Sequence, residues 1–211
     1  MEFNFSLERE IIFEYYTDDV IDTICSSWEE FLSGDEARLA ILKEAIQLHK
    51  KGYYHASTAL LMSQVNGIIT KTDEIIELNN YQIKEEDLQA LCEYYKVTYE
   101  TWKNHVNRSE RSQVLKMIAV TENGFRYWDA VTKYVRDIVL KNYGDDELAN
   151  RNPMRNKILH GVQLNYGTKE HSLKSILTVD LLMQYYEEIK TIIEKHLQND
   201  ENTEQNGEEL D

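Results

Sequence analysis

The chain has 211 residues, and its 38 acidic and 23 basic side chains leave a formal net charge of −15. That length supports one domain with a substantial core and is short for two, and 42% hydrophobic residues are too many for a chain without a fold. One Pro and 8 Gly are too few for the many tight turns of a sandwich or barrel, and no apolar run approaches the roughly 18 residues of a membrane span. The predicted elements are therefore helices, read from apolar spacings of three and four. Residues 7–32 make one stripe, from Leu7, Ile11, Ile12, Tyr15 and Tyr16 on to Val20, Ile21, Ile24, Trp28, Phe31 and Leu32. Gly34 ends it, and Asp35 is placed to cap a second helix that runs to about Lys51, where Gly52 breaks it. Residues 53–71 are apolar around most of their circumference and predict a central buried helix.

Residues 84–104 are amphipathic through Leu88, Leu91, Tyr94, Tyr95, Tyr99 and Trp102. Helices also fit 109–120 and 124–141, with Phe125, Trp128 and Tyr134 at core spacing. A polar connection from Asn142 to Asn152 leads to the only proline. Asn152-Pro153 reads as a helix start, Asn capping and Pro in the first turn, for a short helix over 153–160 that ends at Gly161. A turn through Asn165, Tyr166, Gly167 and Thr168 opens a long last helix, about 170–198. The remainder, 198–211, holds six acids and almost nothing apolar, which predicts a disordered acidic tail beyond a single all-helical domain of residues 1–197.

The N-terminus lacks a basic stretch followed by an apolar one, so no secretory signal is expected and the chain reads as cytoplasmic. Cys25 and Cys92 have no partner spacing and read as buried thiols. His49, His55, His105, His171 and His196 form no pair at metal-ligand spacing, so neither a metal nor a cofactor is expected. Phosphate-loop, dinucleotide and nucleophile-elbow patterns are absent.

The negative charge is uneven. Residues 1–100 carry net −12, residues 101–175 net +5, and residues 176–211 net −8. An acidic total opposes non-specific DNA coating. The basic middle segment reads either as solvated helix faces or as a surface for RNA or another phosphate-bearing ligand.

The most informative run is Arg155-Asn156-Lys157-Ile158-Leu159-His160. At 100° per residue, Ile158 and Leu159 flank Arg155, which places its guanidinium on the apolar side of its own helix. A guanidinium there needs a carboxylate, an interface or a phosphate. Asn156 and His160 are one turn apart and can act on one group, whereas Lys157 points elsewhere. A polar knot that fixes helix packing is the structural alternative. Tyr166 and His171 follow closely in the chain and are candidates for further ligand contacts.

The Arg155-to-His160 spacing resembles the Arg-x4-6-His motif of the HEPN superfamily. Together with Gly161, the turn Asn165-Tyr166-Gly167-Thr168 and Ser172-Leu173-Lys174, it looks like a bacterial HEPN or abortive-infection-like group. The segment from Gly52 to Ile69 is similar to the buried helix of that group, and the resemblance covers roughly 50–180. It implies an antiparallel helical bundle that pairs into a homodimer, with two motif copies forming one site at the seam. It further implies a metal-independent endoribonuclease or RNA-binding effector of a defence or toxin system, with Arg155, Asn156 and His160 as catalytic residues. The alternatives are a catalytically degenerate domain that binds a protein partner, or a nucleotide or phosphate sensor. Relatives often carry a Glu where this chain has Asn66, after Gln64-Val65. Asn66 can hydrogen-bond Arg or His but cannot neutralise Arg155.

Overall fold

The computed structural model describes residues 11–96, 110–121, 133–141 and 146–208, and these are helical with no strand among them. The fold is all-α. Its helices are α1 (Asp18–Phe31), α2 (Glu36–Lys50), α3 (Tyr54–Leu78), α4 (Glu85–Tyr94), α5 (Glu110–Val120), α6 (Asp146–Arg151), α7 (Arg155–Leu159) and α8 (Lys169–Glu208), with a π-helical turn at Val135–Val139.

The expected stripe over 7–32 divides. Ile11–Tyr15 is helical, the chain bends at Tyr16, and Thr17 opens α1 by accepting a hydrogen bond from Val20 N at 3.4 Å. A Thr-Asp-Asp run is a capping residue followed by an acidic first turn, which favours a new helix start over continuation. The second half of the stripe supplies its buried residues, Ile21, Cys25, Trp28 and Leu32, whereas Ile11, Ile12 and Tyr15 are exposed and Tyr16 only partly covers the core. Asp35 caps α2 as expected, accepting from Arg38 N at 3.3 Å, and Gly34 and Gly52 adopt positive φ at the two breaks.

The predicted central helix is α3, and it extends to Leu78. It buries Leu61, Met62, Val65, Ile68, Ile69 and Ile76, and it packs along α8 and against α2, α5 and α7. Each such side chain contributes roughly 1.5–3 kcal/mol on burial. Polar residues lock the packing in register. Trp28 is fully buried, and its Nε1 donates to Asp180 Oδ1 at 3.0 Å, tying α1 to α8. Lys116 of α5 reaches the buried Asp73 of α3 at 2.6 Å and Glu77 at 3.0 Å. Both cysteines are free and buried, and burial pushes both thiols up from their ordinary pKa.

Three boundaries differ from the sequence reading. Helix α4 ends at Tyr94, and Lys96 takes a positive φ of 54°, so the helix expected over 84–104 stops short; Tyr99 and Trp102 lie outside the described residues. Phe125 and Trp128 also lie outside them, while Tyr134 packs against the core beside the π-helical turn. The polar connection before the proline contains α6. Helix α8 continues to Glu208, past the end read at 198, because a ladder of i→i+4 bonds needs no apolar face to propagate. Among the described residues no helix is long and apolar enough to cross a membrane.

Candidate functional site

The run around Arg155 forms α7, a helix of five residues that cannot stand alone and is held at both ends. It starts later than Asn152-Pro153 predicted. Met154 occupies the cap position without a side-chain cap, and its N–H donates to Gln163 Oε1 at 3.0 Å. Asn152 does not cap. Its carbonyl accepts from Gln163 Nε2 at 3.0 Å, and its side chain accepts from Lys174 Nζ at 3.4 Å. The same Gln163 Nε2 donates to the Ala149 carbonyl. Gln163 therefore clamps α6, the proline turn and the start of α7 with one buried side chain. A loop glutamine carries no periodicity and no motif, so no signal in the sequence marks it.

The end of α7 matches expectation. Gly161 takes φ +70°, its N–H donates to Ile158 O at 3.0 Å, and Val162 N–H donates to Lys157 O at 2.8 Å. This is a Schellman motif, in which the left-handed residue is glycine because it lacks a Cβ.

The rotation of α7 differs from the helical wheel. Lys157 and Ile158 are buried at 7% and 5% exposure, and Leu159 is exposed at 42%. Arg155 and Asn156 are half-buried at the margin of that face, and His160 is exposed. The wheel assumed that apolar residues set the rotation. In so short a helix the fixed ends, Met154 on Gln163 and the turn at Gly161, set it instead.

Arg155 Nη1 donates to Asn156 Oδ1 at 2.6 Å, and Asn156 Nδ2 donates to the Leu140 carbonyl at 3.3 Å. The amide is thus fixed from both sides, and it aims the guanidinium. The Asn156 carbonyl accepts the His160 N–H at 3.0 Å, which places the imidazole one turn further on, at the surface. The structure therefore brings Arg155 and Asn156 into contact and places exposed His160 one turn beyond Asn156.

The other candidates are distributed along α3, against which α7 packs. Asn66 lies half-buried near the middle of that helix. Tyr166 lies against its first turns. The Tyr166 ring meets His55 edge-on at 5.1 Å, and its carbonyl accepts from Thr58 Oγ1 at 3.5 Å. The level of Thr58 is about 12 Å from Asn66 along the helix. His171 is buried in the first turn of α8, where its N–H donates to Thr168 Oγ1 at 3.1 Å. Its neighbour Ser172 donates to Ser57 Oγ at 2.9 Å, so His171 too stands level with the start of α3.

His49 belongs to that second polar group. Its Nδ1 shares a 2.7 Å hydrogen bond with Ser172 Oγ, and its ring meets Tyr54 edge-on at 5.5 Å. Burial first, and then the positive charge of Lys169, lower its pKa to about 4. His49, Ser172 and Ser57 are buried at 3%, 0% and 0% exposure, so this chain of hydrogen bonds joins three helices rather than facing a ligand. Among the described residues no group of three or more His, Cys, Asp or Glu side chains is placed to hold a metal ion.

Comparison with family models, with curated proteins and with solved structures finds no match to this chain. The class defined by fold and site together is an all-α bundle with a half-buried Arg–Asn pair at the start of a clamped short helix and an exposed His just past its end.

Proposed function

We propose that the chain is a HEPN-like endoribonuclease acting through Arg155, Asn156 and His160. The observation that carries this reading is the 2.6 Å bond from Arg155 to Asn156, with Asn156 itself anchored on Leu140 and an exposed imidazole one turn away. A fixed guanidinium suits a phosphate and the charge that builds on it. An imidazole can take and return a proton near neutral pH. Together they fit attack of an RNA 2′-hydroxyl on its own phosphorus. The 2′-proton passes to His160, the bond to the 5′-oxygen breaks, and a proton returns to that oxygen. The products are a 2′,3′-cyclic phosphate and a 5′-hydroxyl.

The active species in this reading is a homodimer. Leu159, Val162 and Leu164, which bracket His160, are exposed at 42%, 67% and 74%. Exposed apolar side chains so close in the chain to a site suit an interface, and a two-fold contact there would set two motifs at one cleft.

The test is incubation of the full chain with total RNA in EDTA, beside His160→Ala. The expected result is cleavage with cyclic-phosphate ends, slower by about 100-fold or more in the variant. Equal cleavage by both, or none by either on several RNAs, refutes it. Asn66 in place of the Glu often seen in relatives favours one second reading, a degenerate domain that binds a protein. A partner that co-purifies and stays bound to His160→Ala would establish that instead.

A further inference from the structure

We propose that His55 is the acid that protonates the departing 5′-oxygen, acting opposite His160 in the cleavage. This rests on the ribonuclease reading and supplies the proton donor that the reaction still needs. The 2′-oxygen attacks and the 5′-oxygen leaves on opposite sides of the phosphorus. An imidazole that takes the proton on one side does not reach the other side in the same step, so a second group must give a proton there.

Among the described residues, His55 is an exposed imidazole that touches the segment following His160. His49 and His171 are buried, and His196 lies against Tyr81, past the far end of α3. His55 stands in the first turn of α3, and three contacts with the link between α7 and α8 hold its ring. Its Nε2 bonds the Leu164 carbonyl at 3.2 Å, and it meets the Tyr166 ring edge-on at 5.1 Å. The ring also lies on Gly167, where any Cβ would run into it, so that position has to be glycine.

These contacts fix the chemistry of the ring as well as its place. A carbonyl only accepts, so Nε2 carries the hydrogen and the neutral ring keeps its lone pair on Nδ1. Protonation of Nδ1 leaves the bond to Leu164 intact, so the ring stays aimed while Nδ1 gains and gives up its proton. As the imidazolium, His55 donates Nδ1–H to the 5′-oxygen while the electron pair of the breaking P–O bond moves to that oxygen. His55 ends neutral and His160 ends protonated, and exchange with water restores both. His160 and Leu164 are four residues apart, which spans under about 14 Å even when fully extended. The actual path is shorter, because the chain doubles back at Gly161, where the N–H groups of Val162 and Gln163 both donate to Lys157 O at 2.8 and 3.0 Å. The two exposed rings are thus near enough to flank one phosphodiester.

The test uses the full chain and a single-stranded RNA oligonucleotide spanning a site that the parent cuts in total RNA. It is made with either oxygen or sulfur at the 5′ position of the cleaved bond. A thiolate leaves without a proton, so sulfur removes the need for the acid alone. His55→Gln keeps an amide that can donate to the Leu164 carbonyl but has no proton to give up. It should slow cleavage of the oxygen substrate by about 100-fold or more and recover most of that loss on the sulfur substrate, whereas His160→Ala stays slow on both. Equal rates of His55→Gln and its parent on the oxygen substrate overturn the assignment and leave the ribonuclease reading standing. So does a loss of the same size on both substrates at matching melting temperatures, which is what mere support of the link would give. No cleavage of any RNA by the parent overturns both.

Discussion

Acid should destabilise this protein through His49, and the size of the effect follows from its surroundings. The ring is 3% exposed, bonded to Ser172, and faced by Lys169 and Lys50 against the single opposing charge of Asp18. Its pKa in the fold is about 4, below the 6.5 of a free imidazole, with burial as the main cause. The unfolded chain therefore takes up the proton first. The stability that this difference contributes is complete above about pH 6.5, falls as pH falls, and is fully lost only below about pH 4. At pH 5 the linkage amounts to about 2 kcal/mol at most, and relaxation and water entry around the charged ring reduce it to roughly 1 kcal/mol. For a chain of this size that is a loss of about 2–4 °C in Tm between pH 7 and pH 5. Thermal unfolding of the wild type and of His49→Gln at both pH values measures it. The variant cannot titrate at that position, so it should lose about 2–4 °C less than the wild type over the same interval. Other groups, such as the Asp180 carboxyl that burial pushes up, act in both proteins and cancel in the difference. Equal losses in the two proteins, or an NMR titration placing His49 above pH 6, would refute the reasoning.

Lys116→Met should cost about 3 kcal/mol, because it leaves the buried Asp73 carboxylate with Gln113 alone at 3.2 Å; the check is urea unfolding, with Asp73→Asn in the same background expected to recover part of the loss. Leu164→Glu should shift the chain from dimer to the 24.9 kDa monomer in light scattering at micromolar concentration, since Leu164 is the most exposed of the three apolar residues around the site; a wild type already monomeric there would remove the two-fold site.

Much of the bundle is legible in the sequence because its helices obey local rules. Asp35 caps, Gly34, Gly52 and Gly161 turn the chain, and the all-round apolarity of 53–71 marks the centre. Periodicity fails where a stripe continues across a cap, as at Thr17, since apolar spacing carries no information about a change of direction. It also fails for the rotation of α7. A helical wheel weighs side chains, and five residues bury too little to outweigh the bonds at their ends. The candidate residues are visible as a string, but the string groups Asn156 with His160, and the contact of Arg155 with Asn156, neighbours that a helix points about 100° apart, is a finding of the structure. What holds them is not visible there, because the Gln163 side chain binds backbone groups that any residue could supply, and the Leu140 carbonyl is itself such a group.

The Gln163 clamp has a consequence for how this region tolerates change. A bond from Met154 N–H to the Gln163 side chain closes a loop of chain in the manner of a stapled macrocycle, with α7 as its rigid arc. The side chains on the outside of the loop, Leu159, His160 and Val162, touch solvent and take no part in the clamp. Its length cannot vary. One residue inserted between 154 and 163 would carry the amide past the three backbone groups it reaches and release the guanidinium without altering any residue that touches it.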